Sequence, residues 1–364
     1  MKKTVLSAYL GLRAALMLPF ARVRPGFDPS RVRSVLVIRN DRVGDMVLTT
    51  PLLRAIGESM PEAELTVLAS ASNADVLTGN PDVARVVVQS GGLIKTAGEL
   101  RQSRFDLAID PVLTYGLGTA ILCLLSGAKY RAGFAWAGRE ALFNLPCPPA
   151  EGGGHIVARH LDIARALGLA FIPSAPGIYI SASEREAALD VMRGAGVDPG
   201  SGGPLVAIHP GGYYPSQRWP ARRFGELAQG LADRYGARPV FFSGRAESGL
   251  VEEASAAMRD RPARLAGLGM REFLAALSLC RMFAGNNSGP LHCAAALGLP
   301  TLSFMGPTDT ELFAPYGPGH AVLRKRLLPC LGCGKGYCVR MTCMEGITVA
   351  EALDAAGKVL EALP

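Results

Sequence analysis

Charge is scarce in this chain, and the common nucleotide and hydrolase signatures are missing from it. Of its 364 residues, 19% are Asp, Glu, Lys or Arg, against about 25% in ordinary domains. Hydrophobic residues reach 49%, so the chain has apolar surface for real cores and does not read as disordered. No Gly-x-Gly-x-x-Gly occurs, which counts against a dinucleotide-dependent dehydrogenase. There is no Walker A loop, which argues against an ATPase, and no Gly-x-Ser-x-Gly elbow, which argues against an α/β-hydrolase. An Asp-x-Asp pair is also missing, so a metal-chelated diphosphate site of that kind has no support. Residues 1–26 open basic and turn apolar, but Arg13 splits the run. A spanning helix, which needs about 18 apolar residues or more, is not expected there. Pro19-Phe20-Ala21 is a poor cleavage site for an export signal. An amphipathic segment that contacts an anionic membrane face fits this stretch better than a helix packed on its own protein.

Lys and Arg total 38 and Asp and Glu 31, a formal charge of +7. That balance suits acidic ligands or anionic membranes. The basic residues are scattered, and no nucleic-acid module is visible. Forty-three glycines and 26 prolines mean many tight connections.

The body alternates β-branched runs with helical patterns, as βαβ units do. Ser34–Arg39, Glu64–Ala69, Arg85–Gln89 and Phe105–Asp110 read as strands. Leu52–Met60 and His155–Gly168 read as helical, with Pro51 either kinking the first helix or forcing it to start at Thr50. Residues 173–204, rich in Pro and Gly, read as a linker around a short helix at Glu184–Arg193. Alternation then restarts with Leu205–His209. A stripe of Phe224, Leu227, Ala228, Leu231 and Tyr235 follows at helical spacing. Further strands are expected at Pro239–Phe242, Arg281–Ala284 and Pro300–Phe304. Two successive α/β units of similar size result, and ligands of such sheets gather at the carboxyl ends of the strands.

Five segments carry candidate chemistry. In Ile38–Pro51 (IRNDRVGDMVLTTP), Asp45 sits where a loop turns into a helix and either caps that helix or faces a ligand. In His209–Pro220 (HPGGYYPSQRWP), Gly211 and Gly212 let backbone N–H groups approach a ligand, Arg218 is a cation for phosphate, and Trp219 supports the loop. In Gly285–Pro300 (GNNSGPLHCAAALGLP), Ser288 is an expected N-cap ahead of Pro290, and His292 lies in the first turn of a helix whose N-terminus attracts anions. Gly306–Gly317 offers Thr308 and Asp309 to a polar ligand. Finally, Cys330, Cys333, Cys338 and Cys343 fall close together; structural zinc, disulfides, an iron–sulfur cluster and free thiols all remain open, with zinc favoured. Cys123, Cys147, Cys280 and Cys293 sit in apolar runs and read as core residues.

Together these segments resemble glycosyltransferase family 9, the bacterial lipopolysaccharide heptosyltransferases. The resemblance runs from about Ser34 to Leu360 and rests on VLVIRNDRVGDMVLTTPLLRAI, VAIHPGGYYPSQRWPARRF, GNNSGPLHCAAALGLP and GPTDTELFAPYG in order. It implies an α/β GT-B fold, two doubly wound Rossmann-like domains facing a cleft. Residues 1–30 would form an extension, 31–180 the acceptor-side domain, and 181–364 the nucleotide-sugar-binding domain with the cysteine cluster and a final helix. The implied reaction is inverting transfer of a heptose or related sugar from a nucleotide-diphosphate donor, commonly ADP-heptose, to a lipopolysaccharide core. The implied place is cytoplasmic, peripheral at the inner membrane, and catalysis would need no cofactor. By the same resemblance Asp45 is the catalytic base. Gly211, Gly212, Gln217, Arg218, Asn287, Ser288, Gly289 and His292 would hold the donor, with Glu247 on its ribose hydroxyls and Met270 and Phe304 as nucleobase contacts. Arg39, Asn40 and Arg42 would meet the acceptor. Two departures stand out: Gln217 replaces the family's phosphate-binding Lys, and Asn287 replaces its Asp. They motivate an alternative, a catalytically weak relative that binds glycan or nucleotide during envelope assembly. A sugar-nucleotide epimerase of the same fold is a third reading.

Overall fold

The computed structural model describes residues 26–148 and 153–362; the expectation for the N-terminal segment falls on residues 1–25, outside them. The chain divides into two compact units, Met1–Pro176 and Gly177–Pro364.

In the first unit β1 (Ser34–Ile38) leads through a short loop into α1 (Val43–Ser59), then β2 (Glu64–Ala69) and β3 (Arg85–Val88). After these come α2 (Leu93–Gln102), β4 (Leu107–Asp110), α3 (Gly118–Leu125), β5 (Tyr130–Phe134), β6 (Leu145–Cys147) and α4 (Ile156–Ala166). The six strands form one parallel sheet in the order β3-β2-β1-β4-β5-β6. Val35 of β1 pairs with Leu65 on one side and Leu107 on the other. Helices cover both faces of such a sheet, so its central strands are apolar throughout rather than alternating; β1 and β4 are buried almost end to end.

Of the two expectations for α1, a helix running through Pro51 holds and a start at Thr50 does not. The helix begins at Val43, and Pro51 lies inside it. Proline lacks the N–H that would reach the carbonyl of Val47. The Thr50 hydroxyl donates to that carbonyl instead, at 2.8 Å, so the ladder is patched where it would break.

The second unit opens on α5 (Ala182–Gly194), which starts with a capping box between Ser181 and Glu184. This helix lies within the expected linker, yet it is fastened to its own unit: Arg271 binds Glu184 at 2.7 Å and donates to the Tyr179 carbonyl. Next come β7 (Leu205–His209), α6 (Ala221–Tyr235), β8 (Arg238–Ser243), α7 (Ser248–Ala256), β9 (Ala263–Ala266) and α8 (Met270–Leu277). The unit is completed by β10 (Met282–Asn286), α9 (Gly289–Ala296), β11 (Thr301–Phe304), β12 (His320–Leu323) and α10 (Val349–Glu361), with one-turn helices at Thr310–Phe313 and Thr342–Glu345. Its parallel sheet runs β12-β11-β10-β7-β8-β9. Counted from its own first strand, that is the same order as in the first unit, the doubly wound order with a reversal beside the first strand. Each unit therefore opens one crevice at the carboxyl ends of its strands: between β1 and β4 in the first, and between β7 and β10 in the second.

The second core centres on Trp219, which is 1% exposed. It stacks on Phe304 at 4.1 Å, meets Phe224 edge-on, and donates its indole N–H to the Ile347 carbonyl. Phe304 is thus core, not the nucleobase contact expected of it. Strands β5, β6, β9 and β12 were not expected; they are short, and β6, β9 and β12 are edge strands with β5 next to an edge, where apolar runs are weakest.

Candidate active site and nucleotide-binding loops

Asp45 stands in the first turn of α1 at the crevice of the first unit. It does not cap the helix: the N-cap is Arg42, which makes no side-chain cap. The Asp45 carboxylate pairs with Arg39 at 3.2 Å, and Arg39 Nε also donates to the Asp45 carbonyl at 3.1 Å. Arg39 directly follows β1, its side chain 3% exposed, while Asp45 remains 24% exposed. The same guanidinium stands 3.3 Å from Asp41. Burial pushes the Asp41 carboxyl above its ordinary value; Arg39 opposes this and the charge of Asp45 adds to it. Arg39 is therefore a buried clamp on two carboxylates, which corrects its expected role as an acceptor contact. Of the other two, Arg42 is exposed and Asn40 half-buried, with the Asn40 amide donating to Gln89. Beneath them His160 is fully buried and its pKa falls to about 3, burial being the main cause; its Nδ1 lies 3.0 Å from the Leu48 carbonyl.

In the second unit the glycine loop leaves β7 and is held from three directions. Asn286, fully buried at the end of β10, donates from its amide to the carbonyls of Pro210 and Gly211, both at 2.9 Å. Its Oδ1 accepts the Trp219 N–H at 2.8 Å. Arg218 Nε donates to the Gly212 carbonyl at 2.8 Å. Glu247, just after β8, accepts the N–H groups of Gly212 and Gly244, each at 3.0 Å, and pairs with His209 at 3.2 Å. The His209 hydrogen bond and these backbone donors hold the Glu247 carboxyl down at about 2. A Cβ at Gly211 would stand 2.0 Å from a Glu247 oxygen, so a side chain there would displace that carboxylate.

Across the crevice, α9 begins at Gly289 with Ser288 as N-cap, as expected, but the Ser288 hydroxyl donates to the Asn286 carbonyl and makes no cap. The first-turn N–H groups and the positive end of the helix are thus left for an anion. Asn287 donates to the Thr308 hydroxyl at 3.0 Å, and its Oδ1 is buried without a hydrogen-bond partner. His292 is buried in the first turn; Gln217 is half-buried on the turn before Trp219. The structure brings Gly211, Gly212, Arg218 and Glu247 into one hydrogen-bonded loop cluster. The sequence reading does not single out Asn286, His209 or the clamping role of Arg39; Asn286 lies inside the Gly285–Pro300 stretch, next to the Asn287 that was named.

Burial raises the pKa of Cys343, and the thiols of Cys330, Cys333 and Cys338 lie close enough for their charges to raise it further. Cys330 and Cys333 are exposed, Cys338 is half-buried and Cys343 is buried under Gly306. Among the described residues no group of three or more His, Cys, Asp or Glu is placed to hold a metal ion. Cys123, Cys147, Cys280 and Cys293 are buried, as core residues should be. Among the described residues no helix is long and apolar enough to cross a membrane.

Two Rossmann-like units in one chain, one with a carboxylate at its crevice and the other with a glycine loop and an open helix N-terminus, define the GT-B class of glycosyltransferases. The profile of glycosyltransferase family 9 (heptosyltransferase) matches residues 93–343, and the chain belongs to that family; it is a glycosyltransferase. It is 25% identical over 312 residues to lipopolysaccharide heptosyltransferase 2 of Escherichia coli K12, covering 80% of this chain and 87% of that protein. With lipopolysaccharide heptosyltransferase 1 of Pseudomonas aeruginosa the identity is 27% over 326 residues, covering 84% and 87%. The solved structure of the E. coli ADP-heptose lipopolysaccharide heptosyltransferase II matches with a TM-score of 0.76 at 25% identity, over 90% of this chain and 98% of that one.

Proposed function

We propose that this chain transfers heptose from ADP-heptose to a lipopolysaccharide core with inversion at the anomeric carbon. The observation that carries the reading is Asp45, half-exposed at the crevice of the first unit and held at both carboxylate and carbonyl by the buried Arg39. In the proposed step Asp45 takes the proton from an acceptor hydroxyl. That oxygen bonds to the anomeric carbon as the bond from this carbon to the diphosphate oxygen breaks, and ADP leaves. A positioned base of this kind contributes about 10²–10⁴-fold.

The second unit supplies the donor side. The diphosphate would rest on the start of α9 at Ser288 and Gly289, with His292 and Arg218 beside it, stabilised by oriented N–H groups and cation with no metal in the step. Arg218 takes the place left by Gln217. Gly211 and Gly212 allow the backbone to approach. A carboxylate has about four acceptor sites, and three on Glu247 are used inside the protein, leaving one for a ribose hydroxyl. The acceptor is borne on a lipid, and we place the enzyme peripherally at the cytoplasmic face of the inner membrane. The net charge of +7 and the loop carrying Leu327, Tyr337 and Val339, all strongly exposed, among Arg326, Lys335 and Arg340 support that placement.

The test is turnover of ADP-heptose with a panel of truncated lipopolysaccharide cores, with the anomeric configuration of the product read by NMR. Asp45→Asn is expected to lower kcat about 10²–10⁴-fold with ADP binding retained. Full turnover in that variant, or a product of retained configuration, would overturn the reading. Binding of ADP-heptose by the wild type without transfer to any core would instead make the chain a glycan- or nucleotide-binding relative.

A further inference from the structure

We propose that Tyr115 and Trp136 form the platform on which a sugar ring of the acceptor glycan stacks; the proposal rests on the acceptor-side reading of the first unit. Tyr115 follows β4 and Trp136 follows β5, 21 residues apart in sequence. Their ring centroids nevertheless lie 6.0 Å apart at an interplanar angle of 40°. Both are unusually open for large aromatics, 47% and 38% exposed.

The pair is built rather than incidental. Arg139, fully buried, donates from Nη1 to the carbonyls of Thr114 and Gly116, the residues on either side of Tyr115. Its Nη2 pairs with the buried carboxylate of Asp110, at the end of β4. The same Arg139 donates its backbone N–H to the Trp136 carbonyl at 3.0 Å. One residue therefore ties both aromatic loops, its guanidinium holding the Tyr115 loop and its backbone N–H the Trp136 loop. The turn after Trp136 is also strained: Ala137 has φ 54 and Gly138 φ 83. A non-glycine residue in the left-handed region is uncommon and is kept where surroundings demand it. Here it turns the chain from Trp136 back to Arg139.

The platform's position names its occupant. All strands of this sheet are parallel, so the loops after β1, β4 and β5 emerge at the same, carboxyl end of the sheet. Adjacent strands are about 4.8 Å apart, which puts the loop after β5 roughly 10 Å from that after β1, where Asp45 lies. Arg39, the clamp on Asp45, is close enough to Asp110 to act on its carboxyl. In the proposed arrangement the glycan ring next to the one whose hydroxyl reaches Asp45 extends over the loops after β4 and β5. A sugar ring offers a face of C–H bonds, which suits the negative face of an aromatic ring.

Wild type, Tyr115→Ala, Trp136→Ala and Trp136→Phe are compared as full chains. The expected result is a rise of about tenfold or more in the KM for core oligosaccharide in the two alanine variants, the usual weight of a stacked aromatic anchor. The KM for ADP-heptose and kcat should change less than about twofold, as for loss of uniform binding; Trp136→Phe should recover most of the loss. A second readout does not need turnover. The chain has 2 Trp and Trp219 is buried, so titration with deacylated lipopolysaccharide core oligosaccharide should change emission from Trp136, and the change should vanish in Trp136→Phe. If transfer fails but this emission change saturates, the platform stands and the proposed reaction falls. Unchanged acceptor KM in both alanine variants, or no Trp136 response where transfer does occur, overturns the platform. So does a wild type that neither transfers nor responds to the oligosaccharide.

Discussion

Replacing Arg139 by Met should destabilise the first unit severely. The guanidinium and the Asp110 carboxylate are both fully buried, and Arg139 also satisfies the Thr114 and Gly116 carbonyls and contacts the Thr119 hydroxyl. Met fills most of the volume but leaves a carboxylate alone in the core. Breaking such a pair from one side costs about 3–5 kcal/mol. Urea unfolding followed by Trp136 emission, in a Trp219→Phe background for both proteins, reports on this unit. With a slope of about 2 kcal/mol per molar, the midpoint should fall by roughly 1.5–2.5 M. Burial already raises the Asp110 carboxyl although Arg139 opposes it, and losing the cation raises it further. The folded variant then binds a proton that the unfolded chain releases, so stability falls as pH rises above the ordinary carboxylate range. The defect should be larger at pH 8 than at pH 5. Adding Asp110→Asn to the variant should recover part of the loss by removing the orphaned charge. A cost below about 1 kcal/mol, or a double variant no more stable than Arg139→Met, would refute the reasoning.

Other expectations concern the second unit. Asn286→Asp replaces two amide donors by carboxylate oxygens facing the Pro210 and Gly211 carbonyls; ADP should bind about tenfold or more weakly, measured by calorimetry, since each misplaced buried partner costs about 1–3 kcal/mol. Glu247 has its carboxyl held at about 2 by His209 and backbone donors. Its contribution to stability is full above its unfolded value and is lost as pH falls toward 2. In His209→Phe that loss should begin at higher pH, seen as a thermal midpoint that falls earlier on acidification; identical pH profiles would contradict the pairing.

Much of the architecture was legible because parallel strands buried on both faces write continuous apolar runs. Leu205–His209 was read to its ends, and the alternation predicted two units. What escaped was short or non-local. β6 has three residues and β9 reads ARLA, too little apolar pattern to stand out. Pro51 suggested a helix start because nothing in the one-dimensional pattern announces that Thr50 will serve the Val47 carbonyl. The site was partly visible through Asp45, the glycine loop and the start of α9, since each follows a strand end. Its fastenings were not: Arg39 lies six residues from Asp45, and the resemblance implies an acceptor contact there rather than a clamp, while Arg139 is 29 residues from Asp110. Such partners follow from strand order, which periodicity does not specify.

The repeated strand order has an evolutionary corollary. Because the chain passes between its two units once, at Pro176–Gly177, each crevice is encoded by an uninterrupted half of the gene. Under the proposed reaction, recombination at that junction exchanges one substrate preference and leaves the other core intact. Acceptor range and donor choice can then diversify separately. A hybrid joining residues 26–176 to the second half of a relative should inherit the acceptor preference of the former and the nucleotide sugar of the latter.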